Sequence, residues 1–80
     1  MKVNGQEIKA MYFAFDGCHK IYLLESEKDM VEAVGLDYKV LPIEELEDTY
    51  NKSCPLRFIY LWDLTETIVP QCAENVVFEY

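Results

Sequence analysis

The stretch FDGCHK at residues 15–20 decides how the first part of the chain folds. Its Asp-Gly pair is a strong hairpin-turn signal, and it separates two runs, residues 8–15 and 20–25, that are rich in aromatic and other β-forming residues. A second turn signal, the Asn-Gly pair at residues 4–5, comes before the first run. These patterns predict that the chain begins with antiparallel strands joined by tight turns.

The spacing of apolar residues then changes from a strand period to a helix period. Ser26 suits a helix N-cap, Asp29 follows three residues later, and Gly35 can adopt a left-handed helix end, so residues 27–34 are predicted to form a helix. A second helix is predicted over residues 42–51, PIEELEDTYN, because proline suits the first helical position and acidic residues favour the first turn.

The remaining strands complete the predicted topology. Residues 38–41 favour a short strand, residues 56–62 (LRFIYLW) are apolar on both faces and favour a central strand, and residues 76–80 favour a final edge strand. The sequence therefore predicts an α+β fold, roughly ββαβαββ, with a mostly antiparallel sheet and two short helices on one face. Residues 1–80 are predicted to form a single domain with a small core.

The charge of the chain limits its partners. Fifteen acidic residues stand against seven basic ones, for a net charge of −8, and residues 25–48 alone hold nine carboxylates against two lysines. Such a field repels nucleic acids and anionic membranes, so we expect a protein partner with a basic surface, no direct nucleic-acid binding and no membrane binding. No apolar run is long enough for a signal peptide or a membrane span, so we expect a soluble protein of the cytoplasm. The sequence does not determine the oligomeric state, although a monomer is favoured.

The cysteines and the single histidine indicate a possible metal site. A Cys₃His set is a known closed zinc site, and a small domain gains much stability from a structural metal. The chain contains no Cys-x₂-Cys pair, and neighbouring strand residues point to opposite faces, so a bend at Gly17 is required and Asp16 could replace one ligand. The alternative is that the cysteines are small buried apolar residues and the histidine is a polar hairpin residue. The predicted ligands of a structural zinc ion are Cys18, His19, Cys54 and Cys72.

The sequence predicts no catalytic site. Cys18 beside His19 could be a nucleophile with its base, but such pairs usually meet across a fold and not as neighbours in sequence. Glu44 and Asp48 lie one helical turn apart, which is typical of a solvated helix surface. We therefore expect a non-enzymatic protein.

Two acidic segments indicate how the protein could act. The segments ESEKDMVE (residues 25–32) and PIEELED (residues 42–48), the acidic C-terminal tail and the small size resemble the small anti-CRISPR proteins of phages and prophages. That resemblance implies an inhibitor of a type II RNA-guided CRISPR nuclease that acts in the cytoplasm of a bacterial host, and some proteins of that group bind metal. Such a nuclease holds its heteroduplex in a basic channel, where negative charge would compete with DNA loading. The candidate partner-binding residues are Glu27, Asp29, Glu32, Glu44, Glu45, Glu47 and Asp48.

Three other interpretations stay open from the sequence. The carboxylates could simply keep a hydrophobic small protein in solution. The chain could be an immunity protein or antitoxin that blocks the basic active site of a nuclease toxin. It could also be a metal-stabilised structural or regulatory phage protein that meets its partner through apolar and aromatic residues.

Overall fold

The computed structural model describes residues 1–64, 66–69 and 75–80. Across these residues the fold consists of two β-sheets and two α-helices. Neither helix in this described part is long and apolar enough to cross a membrane. The elements are β1 (Lys2–Val3), β2 (Gln6–Glu7), β3 (Tyr12–Phe15), β4 (Lys20–Leu24), α1 (Glu27–Gly35), β5 (Lys39–Pro42), a 3-10 turn (Ile43–Glu45), α2 (Leu46–Lys52), β6 (Phe58–Leu61) and β7 (Phe78–Glu79).

A four-stranded sheet, in the order β5-β3-β4-β6, forms the centre of the fold. Strand β3 pairs antiparallel with both β4 and β5, so that Phe13 lies opposite Leu23 on one side and Leu41 on the other. Strand β6 pairs parallel with β4. A smaller sheet, in the order β2-β1-β7, is antiparallel throughout. The predicted α+β class is confirmed, with its mostly antiparallel strands divided between two sheets.

The helices lie on opposite faces of the four-stranded sheet, whereas the sequence predicted both on one face. Phe13 of β3 belongs to a core cluster with Leu46 and Tyr50 of α2. The next residue, Ala14, packs instead with Ala33 of α1. Because successive residues of a strand point to opposite faces, these contacts assign each helix to its own face.

The strand order explains this arrangement. Helix α1 connects β4 to β5, and α2 connects β5 to β6, so the two crossovers run across the sheet in opposite directions. Crossovers between parallel strands of one sheet are right-handed in almost all proteins. Two right-handed crossovers that run in opposite directions place their helices on opposite faces. The spacing of residues within each helix contains no information about this order.

The larger core cluster lies on the α2 face of the four-stranded sheet. The small sheet contributes Val3 to it, and Ile8 and Val69 also enter it from outside the four-stranded sheet; each of the three is at most 1% exposed. Burial of an aliphatic side chain of this size stabilises the fold by roughly 1.5–3 kcal/mol. The small sheet and α2 are therefore held against the same face by one apolar cluster.

The turn and cap signals near the beginning of the chain are confirmed. Asn4 and Gly5 have φ angles of 52° and 81° and form the two-residue turn between β1 and β2. The Ser26 hydroxyl accepts a hydrogen bond from the amide of Asp29, and the Asp29 carboxylate accepts one from the amide of Ser26. This reciprocal capping box starts α1 at the predicted place.

The ends of both helices and the position of β6 in its sheet differ from the predictions. Gly35 is still helical, and Asp37, with φ 64°, adopts the left-handed conformation after α1. Pro42 ends β5, so α2 begins later than predicted, after the 3-10 turn. Strand β6 lies at an edge of its sheet and not at the centre. Its residues are apolar on both faces because Ile59 enters the α2-side cluster while Tyr60 stacks on Tyr22.

Candidate functional site

The tip of the β3–β4 hairpin is held in shape by the carboxylate of Asp16. One of its oxygens, Oδ1, accepts hydrogen bonds from the backbone amides of Cys18, His19 and Lys20 at 2.9–3.0 Å. Gly17 has φ 89°, which permits the sharp bend. Asp16 thus fixes the backbone of the loop through one oxygen, and its carboxylate does not lie within 4.8 Å of both the Cys18 and Cys54 sulfur atoms.

The hairpin tip meets the loop that follows α2, and this brings two thiols together. The Sγ atoms of Cys18 and Cys54 lie 2.7 Å apart, within hydrogen-bonding distance. The Cys54 amide also donates a hydrogen bond of 3.1 Å to the Cys18 carbonyl, and the Phe58 amide donates one of 2.9 Å to the His19 carbonyl. Cys18 is exposed and Cys54 is half-buried. Two of the four predicted zinc ligands are therefore adjacent.

Of the other two predicted ligands, His19 does not join this pair. The His19 ring packs edge-on against Phe58, with ring centroids 5.6 Å apart. Among residues 1–64, 66–69 and 75–80, no third donor atom of a His, Cys, Asp or Glu side chain lies within 4.8 Å of both sulfur atoms. Cys72 lies outside the described residues. Two thiols fit a soft metal ion, but a closed tetrahedral site needs four ligands, so zinc binding stays a prediction.

The Cys54 thiol also influences the ionisation of Cys18. The hydrogen bond to Cys54 is the main cause that raises the pKa of the Cys18 thiol above its ordinary value. Partial desolvation and the nearby Cys54 and Asp16 side chains act in the same direction. Cys18 is therefore a protonated thiol at neutral pH, in contrast to the activated thiolate of a catalytic cysteine.

Four carboxylates in the 3-10 turn and at the beginning of α2 form what we call the α2 acidic surface. All four are exposed to solvent. Within the described part of the chain, one of the four has an ion-pair partner: Asp48 contacts Lys52 at 3.0 Å. The hydroxyl of Tyr80 lies at the edge of this surface and accepts a hydrogen bond from the Glu47 amide. The α2 acidic surface consists of Glu44, Glu45, Glu47 and Asp48.

The carboxylates of the first helix, which we call the α1 acidic surface (Glu27, Asp29 and Glu32), are more engaged. Asp29 belongs to the capping box. Glu32 pairs with Lys28 at 3.8 Å and accepts a hydrogen bond of 3.4 Å from the indole nitrogen of Trp62. Among the α2 carboxylates, Asp48 alone has a comparable side-chain partner within the described residues, Lys52.

Sequence reasoning missed two neighbours of the α1 acidic surface. Carboxylate oxygens of Asp29, Glu32 and Asp63 lie within 4.8 Å of one another, and Trp62 packs against Tyr22 and Tyr38 with ring centroids 5.7 and 6.0 Å apart. This half-buried aromatic cluster borders the carboxylates. The contact depends on the parallel pairing of β6 with β4, which no local pattern in the sequence predicts.

The seven candidate partner-binding residues therefore form two separate acidic surfaces, because α1 and α2 lie on opposite faces of the sheet. The molecule extends 31 × 24 × 23 Å, so the two surfaces face away from each other across a small domain. No protein-family model, curated protein sequence or solved structure matches this chain.

Proposed function

We propose that this protein is a non-enzymatic inhibitor that binds the basic nucleic-acid channel of an enzyme through its α2 acidic surface. The partner that the sequence resemblance implies is a type II RNA-guided CRISPR nuclease, with target DNA loading as the inhibited step. The main support is that three exposed carboxylates, those of Glu44, Glu45 and Glu47, have no ion-pair partner within the described residues. A partner rich in lysine and arginine would supply the missing counter-charges.

The spacing of the carboxylates and the net charge also support binding to a nucleic-acid channel. Glu44 of the 3-10 turn and Asp48 of α2 are four residues apart, roughly 6–8 Å along the helical segment. The carboxylates repeated along this segment thus resemble the regularly spaced charges of a nucleic-acid strand, which such channels bind by backbone and shape. With a net charge of −8, the protein would also be drawn towards a basic surface from a distance.

The opposite positions of the helices refine this proposal. A flat basic surface can contact one acidic surface at a time, and the α2 acidic surface is the better candidate because Asp29 and Glu32 are engaged in structural hydrogen bonds. A narrow channel with two basic walls could contact both acidic surfaces at once. The two cases differ in whether the α1 carboxylates contribute to inhibition.

The test is a DNA-cleavage assay with a guide-loaded type II nuclease, to which the protein is added before target DNA. We expect the wild-type protein to inhibit cleavage, and we expect at least about tenfold more protein to be needed when the α2 surface is neutralised. The α2 variant combines Glu44→Gln, Glu45→Gln, Glu47→Gln and Asp48→Asn. Inhibition by this variant at the wild-type concentration would refute the role of the α2 surface.

A matched control removes four other exposed charges outside both acidic surfaces. It combines Glu7→Gln, Glu25→Gln, Asp37→Asn and Glu66→Gln. Because its net charge equals that of the α2 variant, it separates local contacts from the overall field of the protein. A third variant, Glu27→Gln with Asp29→Asn and Glu32→Gln, distinguishes binding to one wall from binding to two. Circular dichroism checks that each variant is folded.

Two exposed valines on α1 favour a second candidate function, a structural or regulatory protein with an apolar partner interface. Val31 and Val34 are 63% and 58% exposed, and they lie three residues apart on one face of the helix. Exposed apolar groups that lie side by side can form a contact surface. Salt separates the two functions, because an electrostatic complex loses association rate steeply as salt rises while an apolar complex barely changes. The alternative that the chain is an immunity protein is tested in the same DNA-cleavage assay, with a nuclease toxin in place of the CRISPR nuclease.

A further inference from the structure

The Cys18–Cys54 contact joins two segments that are far apart in the chain. The two residues are separated by 36 positions, yet their sulfur atoms lie 2.7 Å apart. A backbone hydrogen bond from the Cys54 amide to the Cys18 carbonyl holds the main chains side by side. The backbone thus keeps the two residues next to each other, and their side chains point so that the sulfur atoms meet.

Both loops are rigidly held on either side of the thiols. The hairpin tip is organised by the three amide hydrogen bonds to Asp16. In the other loop, the Ser53 hydroxyl donates a hydrogen bond of 2.7 Å to the Tyr50 carbonyl, and Arg57 Nε donates one of 3.1 Å to the Cys54 carbonyl. Little conformational freedom is left to lose when the two sulfur atoms react.

A covalent bond between the thiols requires little movement. A disulfide brings two sulfur atoms to about 2.0 Å, so the sulfurs must approach by about 0.7 Å from their present 2.7 Å. Cys18 is exposed, so a small oxidant can reach its sulfur atom.

We infer that Cys18 and Cys54 form a reversible disulfide that ties the β3–β4 hairpin to the loop after α2. The oxidant is a small-molecule disulfide of the glutathione class. The Cys18 thiol loses its proton and attacks one sulfur of the oxidant, which forms a mixed disulfide and releases one small thiolate. The Cys54 thiol then loses its proton and attacks the Cys18 sulfur, which releases the second thiolate. Overall, two protein thiols are oxidised, one small disulfide is reduced to two thiols, and both protons are retained by those products.

The exposure of Cys18 makes this disulfide reversible. Solvent-accessible disulfides are the ones most readily reduced by small thiols, in contrast to buried structural disulfides. The cross-link would restrict a long loop of the unfolded chain, so the oxidised protein should melt at a temperature about 10 °C higher or more. The dithiol and disulfide forms would thus differ in stability, with the redox state of the surroundings deciding between them.

The experiment uses the full chain in buffers with increasing ratios of oxidised to reduced glutathione. Trypsin cleaves after Lys9, Lys20, Lys52 and Arg57, so the three cysteines fall in separate peptides that cover residues 10–20, 53–57 and 58–80. We expect the first two peptides to appear as one disulfide-linked species. The intact protein should lose two hydrogens in mass, and a reducing agent should reverse both changes together with the rise in melting temperature.

A Cys72→Ser background removes the third thiol, and it should form the cross-link as the wild-type protein does. Addition of Cys54→Ser to that background should leave a single glutathione adduct on Cys18 and no rise in melting temperature. Three results would overturn the inference. These are linkage of residues 58–80 to either other peptide in the wild-type protein, stable glutathione adducts on both Cys18 and Cys54, and one equivalent of zinc that protects both thiols from oxidation.

Discussion

The Tyr80 hydroxyl accepts a hydrogen bond of 3.3 Å from the backbone amide of Glu47, at the beginning of α2. Helix α2 has no side-chain cap of its own, because Glu45 precedes it without a capping hydrogen bond. A residue 33 positions away in the chain thus provides an acceptor that a capping serine or aspartate would otherwise supply.

Tyr80→Phe should therefore lower the free energy of unfolding by about 0.5–1 kcal/mol, since it removes one exposed neutral hydrogen bond and leaves the ring in place. Urea denaturation measures this difference. Tyr12→Phe is the control, because the Tyr12 hydroxyl has no hydrogen-bond partner among the described residues and its loss should change little. Equal stability of the Tyr80→Phe and wild-type proteins would show that the contact has no energetic role.

Ser26→Ala should lower the free energy of unfolding by about 1 kcal/mol, because it removes the N-cap of α1 and leaves the amide of Asp29 without its acceptor. Ser26→Asp should retain most of the stability, since aspartate also caps helices. Thermal unfolding followed by circular dichroism compares the three proteins. If alanine and aspartate at position 26 gave the same melting temperature, the capping box would not stabilise α1.

Two glycine substitutions should have opposite effects. Neither Gly5 nor Gly35 has an atom within 4 Å of where a Cβ would lie, so the backbone alone decides the outcome. Gly5→Ala should destabilise by about 1 kcal/mol or more, because Gly5 has φ 81°. Gly35→Ala should stabilise by about 0.5–1 kcal/mol, because Gly35 is helical and glycine is a poor helix former. A change of the same sign in both variants would contradict this account.

The titration of Tyr22 predicts a loss of stability at alkaline pH. Desolvation, followed by the influence of Tyr38, raises the pKa of Tyr22 to about 12. An unfolded tyrosine ionises near pH 10, so the folded protein holds this proton longer. The stabilisation is present below pH 10 and is lost as the pH rises through about 12. The pKa of Tyr50 and that of Tyr80 are also raised, mainly by desolvation.

Absorbance of tyrosinate measures this titration directly. Tyr22→Phe should remove one ionisation step near pH 12 from the curve of the folded protein. It should also reduce the alkaline loss of melting temperature relative to the wild-type protein. An unchanged curve above pH 11 would mean that Tyr22 ionises with the exposed tyrosines.

Local features of the fold were predictable because the residues that determine them are neighbours in sequence. The Asn4-Gly5 turn and the Ser26 capping box are of this kind. The opposite placement of the helices was not predictable, since it follows from the order of strands in the sheet. Strand β6 was predicted to be central because both its faces are apolar, but an edge strand covered on both faces has the same pattern.

The candidate site was predictable to a similar degree. The convergence of Cys18 and Cys54 followed from their positions at the ends of loops, and the structure brings them together. The predicted place of His19 beside them is not confirmed, because its ring packs on Phe58 instead. The proximity of Asp63 to the α1 carboxylates depends on a parallel strand pair that only the whole fold determines.

The pairing of β1 with β7 has a consequence for the route by which the chain folds. The pairs Lys2–Glu79 and Val3–Phe78 join positions that almost the entire polypeptide separates. A ladder of such high contact order forms late, since the intervening chain must first become compact. The β3–β4 ladder is local and forms early. In native-state hydrogen exchange, the amides of Asn4 and Val77, which hydrogen-bond across this late ladder, should therefore open in a less protected unit than those of the central hairpin.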